Sequence, residues 1–419
     1  WKNNAIDDVL KASHSYREWM TENVIRVRSN DDQERKAAER FMRTSAGELP
    51  VYQKMFGLGA EEIETIINPM ALEAQEPVGS MGDDTPVAVL SERNRSLYDY
   101  FRQSFAQVTN PPIDPLRESA VMSLETCIGR EHNVFHETAS HSNRVLLPWP
   151  VLNYVNYKNL LELDRRYYRN VHFSLNFDPS TGNLEEAIRR LAEDSINAVR
   201  DGATVLVLSD RDIVNGLLPI PAPLAVGAVH QALLHSGQRP NANIVIETGS
   251  ARDPHQFAVL LGLGATAIYP YLAFQSINQQ LDNGALSGEA IELRKNYRRG
   301  IRKGLLKILS KMGICTLASY RGSQLFEAVG LSPEVTDLCC PKVTTKIGGA
   351  GFAELQEDLE KVARQAWTDQ VRPVRDGIYR FMHGGEDHAY NPDVVINLQQ
   401  AVASGDWACL LYTSDAADD

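Results

Sequence analysis

The chain has 419 residues and carries 54 Asp and Glu residues against 42 Lys and Arg residues, a formal net charge of −12. Its length predicts two or three structural units. The acidic balance argues against nucleic acid or an anionic membrane surface as a partner, and no apolar run approaches the ~20 residues that span a bilayer. The five cysteines form neither a C-x-x-C pair nor a dense disulfide framework, which predicts a cytoplasmic protein.

Both ends of the chain look unnatural. It opens on Trp1 without an initiator Met, so we expect the true N-terminus to be missing. Residues 409–419 close on a small and acidic string with no helix stop and no strand alternation. We expect this stretch to be a non-native tail.

The first 118 residues divide into two parts. Residues 1–75 are predicted to form short helices in polar connections, the best of them over 61–67. In 77–118, prolines and glycines, including Pro77, Gly82 and the pair Pro111 and Pro112, bracket one predicted helix at 95–105. Loops held in this way often carry function.

From about residue 170 onward, helices and strands are predicted to alternate. Asn183 is a plausible N-cap with Glu186 three residues on, and apolar residues follow at helical spacing. Buried strands are predicted at 204–209, 243–247 and 265–269, with helices between them at 225–235 and 253–261. This βαβαβ order predicts an α/β fold in which a parallel-sheet domain follows a helical and loop connector.

Acidic and basic residues follow two of these strands. Asp210 is next to Arg211, and Glu247 is five residues before Arg252. Such acids can act as general bases or hold a ligand. They can also cap helices and pair with neighbouring arginines, and we favour this structural role because a ligand site needs a pocket.

Three further patterns are ambiguous. The helix predicted at 296–312 has a basic face that could bind phosphate or an acidic partner, although a solvated face is commoner. Glycines at 347–351 could cradle an anion or form a turn. His132, His136 and His141 lack zinc spacing, and no nucleophile elbow, P-loop or iron–sulfur cysteine cluster occurs in the sequence. We therefore predict no metal site and no catalytic residue in this chain.

Three long strings carry a resemblance to a known family. They are E-P-V-G-S-M-G-D-D-T-P at 76–86, F-A-Q-V-T-N-P-P-I-D-P-L-R-E at 105–118 and H-G-G-E-D-H-A-Y-N-P-D at 383–393. Together they resemble the central domain of glutamate synthase large subunits, and the match extends over nearly all residues before Cys409. The resemblance implies a connector from the glutaminase domain at 1–75, the central domain at 76–370 and the start of the FMN-binding synthase domain at 371–408.

The resemblance also implies a function. Members of this family make glutamate from glutamine and 2-oxoglutarate, an oxidoreductase reaction of ammonia assimilation. This part would scaffold the glutaminase and FMN domains and line the ammonia channel between them. The fragment alone is expected to be inactive, and the rival hypothesis is a free-standing scaffold or interaction protein derived from the central domain. An independent flavin barrel enzyme is a weaker alternative, because no flavin phosphate loop is present.

The family's known parts give the remaining expectations. Candidates for residues near the channel and the FMN are Ser80, Met81, Gly82, Asp83, Thr109 and Asn110. FMN and a 3Fe-4S cluster would belong to the full-length enzyme, with no cofactor bound tightly by this fragment. The sequence of residues 383–402 resembles that of the NADPH enzymes of bacteria. This resemblance implies a small NADPH-oxidising subunit as a partner.

Overall fold

The computed structural model describes residues 2–27, 32–36, 48–76, 93–104, 119–368, 377–386 and 388–405. Helices and strands alternate through most of this part. Its strands are, in chain order, β1 (Val24–Arg26), β2 (Phe101–Gln103), β3 (Thr126–Ile128), β4 (Arg144–Leu147), β5 (Asn170–Ser174), β6 (Asn176–Phe177), β7 (Val205–Ser209), β8 (Leu218–Pro219), β9 (Asn243–Glu247), β10 (Ala267–Tyr269), β11 (Phe326–Leu331) and β12 (Thr344–Ala350).

The α-helices are numbered in the same way. They are α1 (Asn3–Ala12), α2 (Tyr16–Asn23), α3 (Leu49–Met55), α4 (Ala60–Glu62), α5 (Asn68–Glu73), α6 (Tyr154–Leu161), α7 (Arg165–Tyr168), α8 (Leu184–Arg200), α9 (Ala222–His235), α10 (Pro254–Gly262), α11 (Tyr271–Asp282), α12 (Ala290–Lys311), α13 (Leu317–Tyr320), α14 (Pro333–Cys339), α15 (Phe352–Ala366) and α16 (Pro392–Ser404). A π-helical turn, Ile63–Ile67, joins α4 to α5. Among the described residues, no helix has the length and apolar content that crossing a membrane requires.

A four-stranded sheet with the order β10-β9-β7-β5 forms the centre of the protein. All of its pairings are parallel. Every residue of β7 and β9 is buried, as expected for strands covered on both faces. The predicted strand at 243–247 is reproduced without a shift, and those at 204–209 and 265–269 are confirmed with slightly later starts. The α/β fold class is therefore confirmed.

Helix α8 shows how local sequence sets an element against this sheet. The Asn183 side chain accepts from the backbone amide of Glu186, and the Glu186 carboxylate accepts from the amide of Asn183. This reciprocal cap stabilises a helix start by about 1 kcal/mol. Leu184, Ile188 and Leu191 face the core at helical spacing. The predicted cap and buried face are both confirmed.

The prediction of a helix at 95–105 is wrong. Residues Leu97–Tyr100 form a single 3-10 turn, and the chain then enters β2, which pairs antiparallel with β11. Phe101 and Gln103 are buried while Arg102 is exposed, the alternation of a strand rather than a helix. Pairing with a strand more than 200 residues later overrides the local helical pattern.

The glycine-rich residues 347–351 form neither a turn nor an anion nest. Gly348 and Gly349 lie within β12, which pairs in parallel with β11. The Gly351 amide donates to the Glu354 carboxylate at 2.8 Å and so caps α15. This amide is therefore already used within the chain.

The basic face predicted at 296–312 is largely exposed to solvent, which agrees with the commoner of the two interpretations considered for it. Arg299, Lys307 and Lys311 are exposed on α12. The guanidinium groups of Arg298 and Arg302 each lie 5.1 Å from the Trp149 ring centroid, and Arg298 Nε also donates to the Val151 carbonyl at 3.2 Å. The buried side of α12 packs against α5 and α10.

Candidate functional site

Glu247, the last residue of β9, is held by a dense set of donors at the carboxyl end of the sheet. Arg211 Nε donates to Glu247 Oε1 at 2.6 Å. Ser209 Oγ at 2.7 Å and Tyr157 Oη at 3.0 Å donate to Oε2. Parallel register places Ser209 directly opposite Glu247, which explains why two strand ends meet here.

These contacts keep Glu247 ionised. Burial alone would raise its pKa, but the His172 ring 3.9 Å away, the charge of Arg211 and the hydrogen bond from Ser209 outweigh burial and lower the pKa to about 2. Arg211 also lies over the Tyr271 ring, 4.4 Å from its centroid. Both carboxylate oxygens are thus satisfied by the protein itself. The predicted structural pairing with a neighbouring arginine is present for Glu247.

We expect Glu247→Gln to reduce the free energy of unfolding by about 2–3 kcal/mol, because it leaves Arg211 without its anion and removes an acceptor for Ser209 or Tyr157. Denaturant unfolding measures this loss. Glu185→Gln breaks an exposed helical pair with Arg189 and should change stability by less than about 0.5 kcal/mol. A folded Glu247→Gln protein with full stability, or one that loses most of the full-length protein's activity, would contradict a structural role.

Asp210 behaves differently, and the prediction that it pairs with an arginine is wrong. Its carboxylate accepts from the Thr248 hydroxyl and, at 2.8 Å, from the Gly249 amide. Among the described residues no Lys, Arg or His lies within ion-pair distance of it. Burial raises the pKa of Asp210 to about 7, against the lowering effect of these hydrogen bonds. Asp210 has no arginine partner because the Arg211 side chain extends to the Glu247 carboxylate instead.

A cavity of about 150 Å³ lies beside Asp210. Its apolar wall is built by the prolines at 219, 221 and 223 and by one face of α15, including Leu355 and Leu359. The polar wall of the cavity includes Tyr98, Asp210 and Ser250. Arg252 also lines the cavity, and its guanidinium forms an ion pair with Glu62. A mostly apolar pocket with a few converging polar groups is the usual form of a small-molecule site.

The arginine of this wall forms a buried ion pair. Arg252 Nε lies 3.0 Å from Glu62 Oε1, and the two residues are 3% and 6% exposed. The guanidinium also donates to the carbonyls of Phe56 and Gly57, at 2.9 and 3.2 Å. All of these partners come from α4 and the turn before it. The ion pair therefore ties the segment 56–62 to the sheet.

The described residues contain no group of three or more His, Cys, Asp or Glu side chains placed to hold a metal ion. The rings of His132 and His141 lie 5.2 Å apart, but His136 does not join them. Burial raises the pKa of the Cys339 and Cys340 thiols, which disfavours the thiolate that an iron–sulfur cluster requires. The cysteines of the described chain do not fit such a cluster.

Sequence reasoning and structure meet only in part at this site. All six predicted channel residues, at 80–83, 109 and 110, lie outside the described residues. The structure instead brings together Tyr98, Asp210 and Ser250 from three distant segments. Ser250 lies between Glu247 and Arg252, two residues that the sequence analysis considered, whereas no local signal marks Tyr98 as its partner.

Comparison with known proteins gives a consistent result. Residues 51–332 match the family described as glutamate synthase central domain. The chain is 36% identical over 414 residues to the NADPH glutamate synthase large chain of Bacillus subtilis, covering 98% of this chain and 26% of that protein. It is 37% identical over 422 residues to ferredoxin-dependent glutamate synthase 2 of Synechocystis, covering 96% and 26% respectively.

Another relative has a third type of electron donor in its name. The NADH glutamate synthase of Saccharomyces cerevisiae is 37% identical over 366 residues, covering 83% of this chain and 17% of that protein. Among solved structures, the flavin-binding domain of baker's yeast flavocytochrome b2 overlaps 44% of this chain and 43% of its own at 16% identity, with a TM-score of 0.28. That score is too low to indicate a shared fold.

The chain spans about a quarter of the length of the first two relatives, because the matched residues make up 26% of each relative. The similarity reaches nearly every part of the chain, including the sheet whose carboxyl end holds Glu247 and Asp210. Since the central-domain family matches residues 51–332, the chain belongs to the glutamate synthase family.

Proposed function

We propose that this chain is part of a cytoplasmic glutamate synthase, which makes glutamate from glutamine and 2-oxoglutarate. The observation that carries the proposal is identity of 36–37% to glutamate synthases over 98% and 96% of the chain. Residues 76–370 would be the central domain, preceded by a connector from the glutaminase domain. Residues 371–408 would lead into the FMN domain.

Within that enzyme, the chain acts as a scaffold and as a wall of the ammonia path. The buried parallel sheet and its covering helices support the first role, because a fixed core is needed to hold two catalytic domains at a constant separation. For the second role, Ser80, Met81, Gly82, Asp83, Thr109 and Asn110 remain the candidates. They lie in proline-rich strings that carry the family resemblance.

The chemistry belongs to other parts of the enzyme. FMN and a 3Fe-4S cluster would be held by the flavin domain, and the thiols of the described chain do not fit the cluster. Glutamine hydrolysis would require an activated nucleophile in the glutaminase domain. The relatives named above use NADPH, ferredoxin or NADH, and we propose NADPH delivered by a small subunit.

The test is a coupling measurement in the full-length protein. Glutamate formed is compared with glutamine hydrolysed, and free ammonia is measured in parallel. We expect a ratio close to one for the unaltered protein. If Thr109 and Ser80 line the ammonia path, Thr109→Val and Ser80→Ala should lower this ratio and release ammonia while glutamine hydrolysis continues.

Thr344→Val is the matched control, because Thr344 is exposed on the edge strand β12. It should leave the ratio unchanged. Full coupling in both channel variants would refute the channel role while leaving the scaffold role intact. A full-length protein that forms no glutamate from glutamine and 2-oxoglutarate would favour a free-standing scaffold derived from the central domain.

A further inference from the structure

A continuous hydrogen-bonded chain runs along the polar wall of the cavity beside Asp210. Tyr98 Oη and Ser250 Oγ are 2.9 Å apart, and Ser250 Oγ lies 2.8 Å from Thr248 Oγ1. Thr248 in turn donates to Asp210. Three hydroxyl groups and a carboxylate therefore line up in a row, and Tyr98, Ser250 and Asp210 all contribute to the cavity wall.

The carboxylate of this row has no cationic partner in the described part of the chain, although it is only 1% exposed. The arginine that follows it in the sequence and the arginine on its side of the cavity are engaged elsewhere. Arg211 pairs with Glu247, and Arg252 pairs with Glu62 and two backbone carbonyls. An unpaired buried carboxylate is costly, and a cation that enters the adjoining space removes that cost.

The acceptors present select the kind of cation. A carboxylate and neighbouring hydroxyl oxygens offer a few directed acceptors, which suit the N–H groups of an ammonium group. A bare metal cation such as Ca²⁺ needs six to eight oxygens. The apolar wall of the cavity includes Ile220, Ala222 and Leu359. The volume of the cavity, about 150 Å³, is larger than one water-sized ion fills. That space can accept a short alkyl group.

We propose that this cavity binds ammonium or a small primary alkylammonium ion, with Asp210 as counter-ion and the hydroxyl groups of Ser250 and Tyr98 as further acceptors. The proposal goes beyond the proposed function and does not rest on it. A protein that makes no glutamate can still contain this site.

Binding is coupled to the protonation of Asp210, because its pKa near 7 leaves a substantial fraction of the empty site neutral at pH 7. An ammonium ion that enters below pH 7 displaces the carboxyl proton to solvent. Glu247 and the Tyr271 hydroxyl approach Asp210 from β9 and α11. The other charged side chains on the cavity wall are Glu62, Arg93, Arg95, Asp99, Arg252 and Asp358.

The experiment measures the melting temperature of the full-length protein in chloride salts at equal ionic strength. Ammonium and methylammonium are the probes. Tetramethylammonium and potassium are the controls, because neither cation has an N–H donor and potassium is also compact. We expect the two probes to raise the melting temperature, since a ligand that binds only the folded state stabilises it. The increase should be larger at pH 8 than at pH 5.5.

Three variants decide the assignment. Asp210→Asn should weaken ammonium binding at least about tenfold and abolish the pH dependence, and Ser250→Ala should weaken it several-fold if Asp210→Asn does not fold. Asp282→Asn makes the same change at an exposed position and should bind as the unaltered protein does. Equal increases with potassium or tetramethylammonium, or unchanged binding in Asp210→Asn or in Ser250→Ala, would overturn the proposal.

Discussion

Replacing Arg252 by methionine should reduce the free energy of unfolding by about 3–5 kcal/mol, one of the largest losses expected from a single substitution in this chain. The change leaves the Glu62 carboxylate buried without its cation. It also removes the donors for two carbonyls, those of Phe56 and Gly57. Because these groups lie before and within α4, the packing of that segment should be lost first.

Denaturant unfolding of matched variants separates charge from packing. Glu62→Met combined with Arg252→Met removes both charges, so the double variant should lose less stability than the sum of the single losses. Arg189→Met disrupts an exposed pair with Glu185 and should cost less than about 1 kcal/mol. A loss below about 1 kcal/mol for Arg252→Met would show that water or a neighbouring group compensates Glu62.

The ion pair between Arg252 and Glu62 also shows what the sequence could not reveal. The two residues are 190 positions apart, and nothing local to either one indicates the other. By contrast, the cap at Asn183 and the apolar runs of β7 and β9 depend on a few neighbouring residues. These elements were predicted within one residue at the strand ends. Strand β2 was missed because its partner, β11, comes late in the chain.

The candidate site illustrates the same division. Asp210 and Glu247 each follow or end a buried strand and look equivalent in the sequence. Their surroundings give opposite results, with the pKa of Asp210 raised to about 7 and that of Glu247 lowered to about 2. The difference depends on which carboxylate the Arg211 side chain reaches, and that requires the register between β7 and β9. Sequence located the site but could not assign roles within it.

The second large effect concerns His230, which should make the protein sensitive to acid. His230 Nδ1 accepts from Arg239 Nε at 2.9 Å, so the ring must be neutral at that nitrogen. Burial lowers its pKa to about 3, and the charges of Arg239, Lys342 and Arg321 add to this effect. The ring is also in close contact with Gly264, where an added Cβ would lie 2.4 Å from Nδ1. It therefore has little room to move away from Arg239.

The direction in which stability changes with pH follows from proton binding to His230. Between about pH 6.5 and 3 the unfolded chain binds a proton at His230 that the folded protein does not, so this contribution is complete above pH 6.5 and is lost as the pH falls. At pH 4 the loss amounts to about 3 kcal/mol. Asp210 acts in the opposite direction, because its raised pKa adds stability as the pH falls from about 7 to 4. The total pH profile of the unaltered protein therefore understates the effect of His230.

A variant that removes only one titration isolates this contribution. In His230→Asn the amide oxygen can still accept from Arg239, but the side chain cannot be protonated in this range. The free energy of unfolding at pH 8 minus that at pH 4 should be smaller in His230→Asn than in the unaltered protein, by about 3 kcal/mol. His235→Asn, at an exposed position on the same helix, should leave the difference unchanged. Equal pH profiles for His230→Asn and the unaltered protein would mean that Arg239 moves aside and lets the folded protein bind the proton.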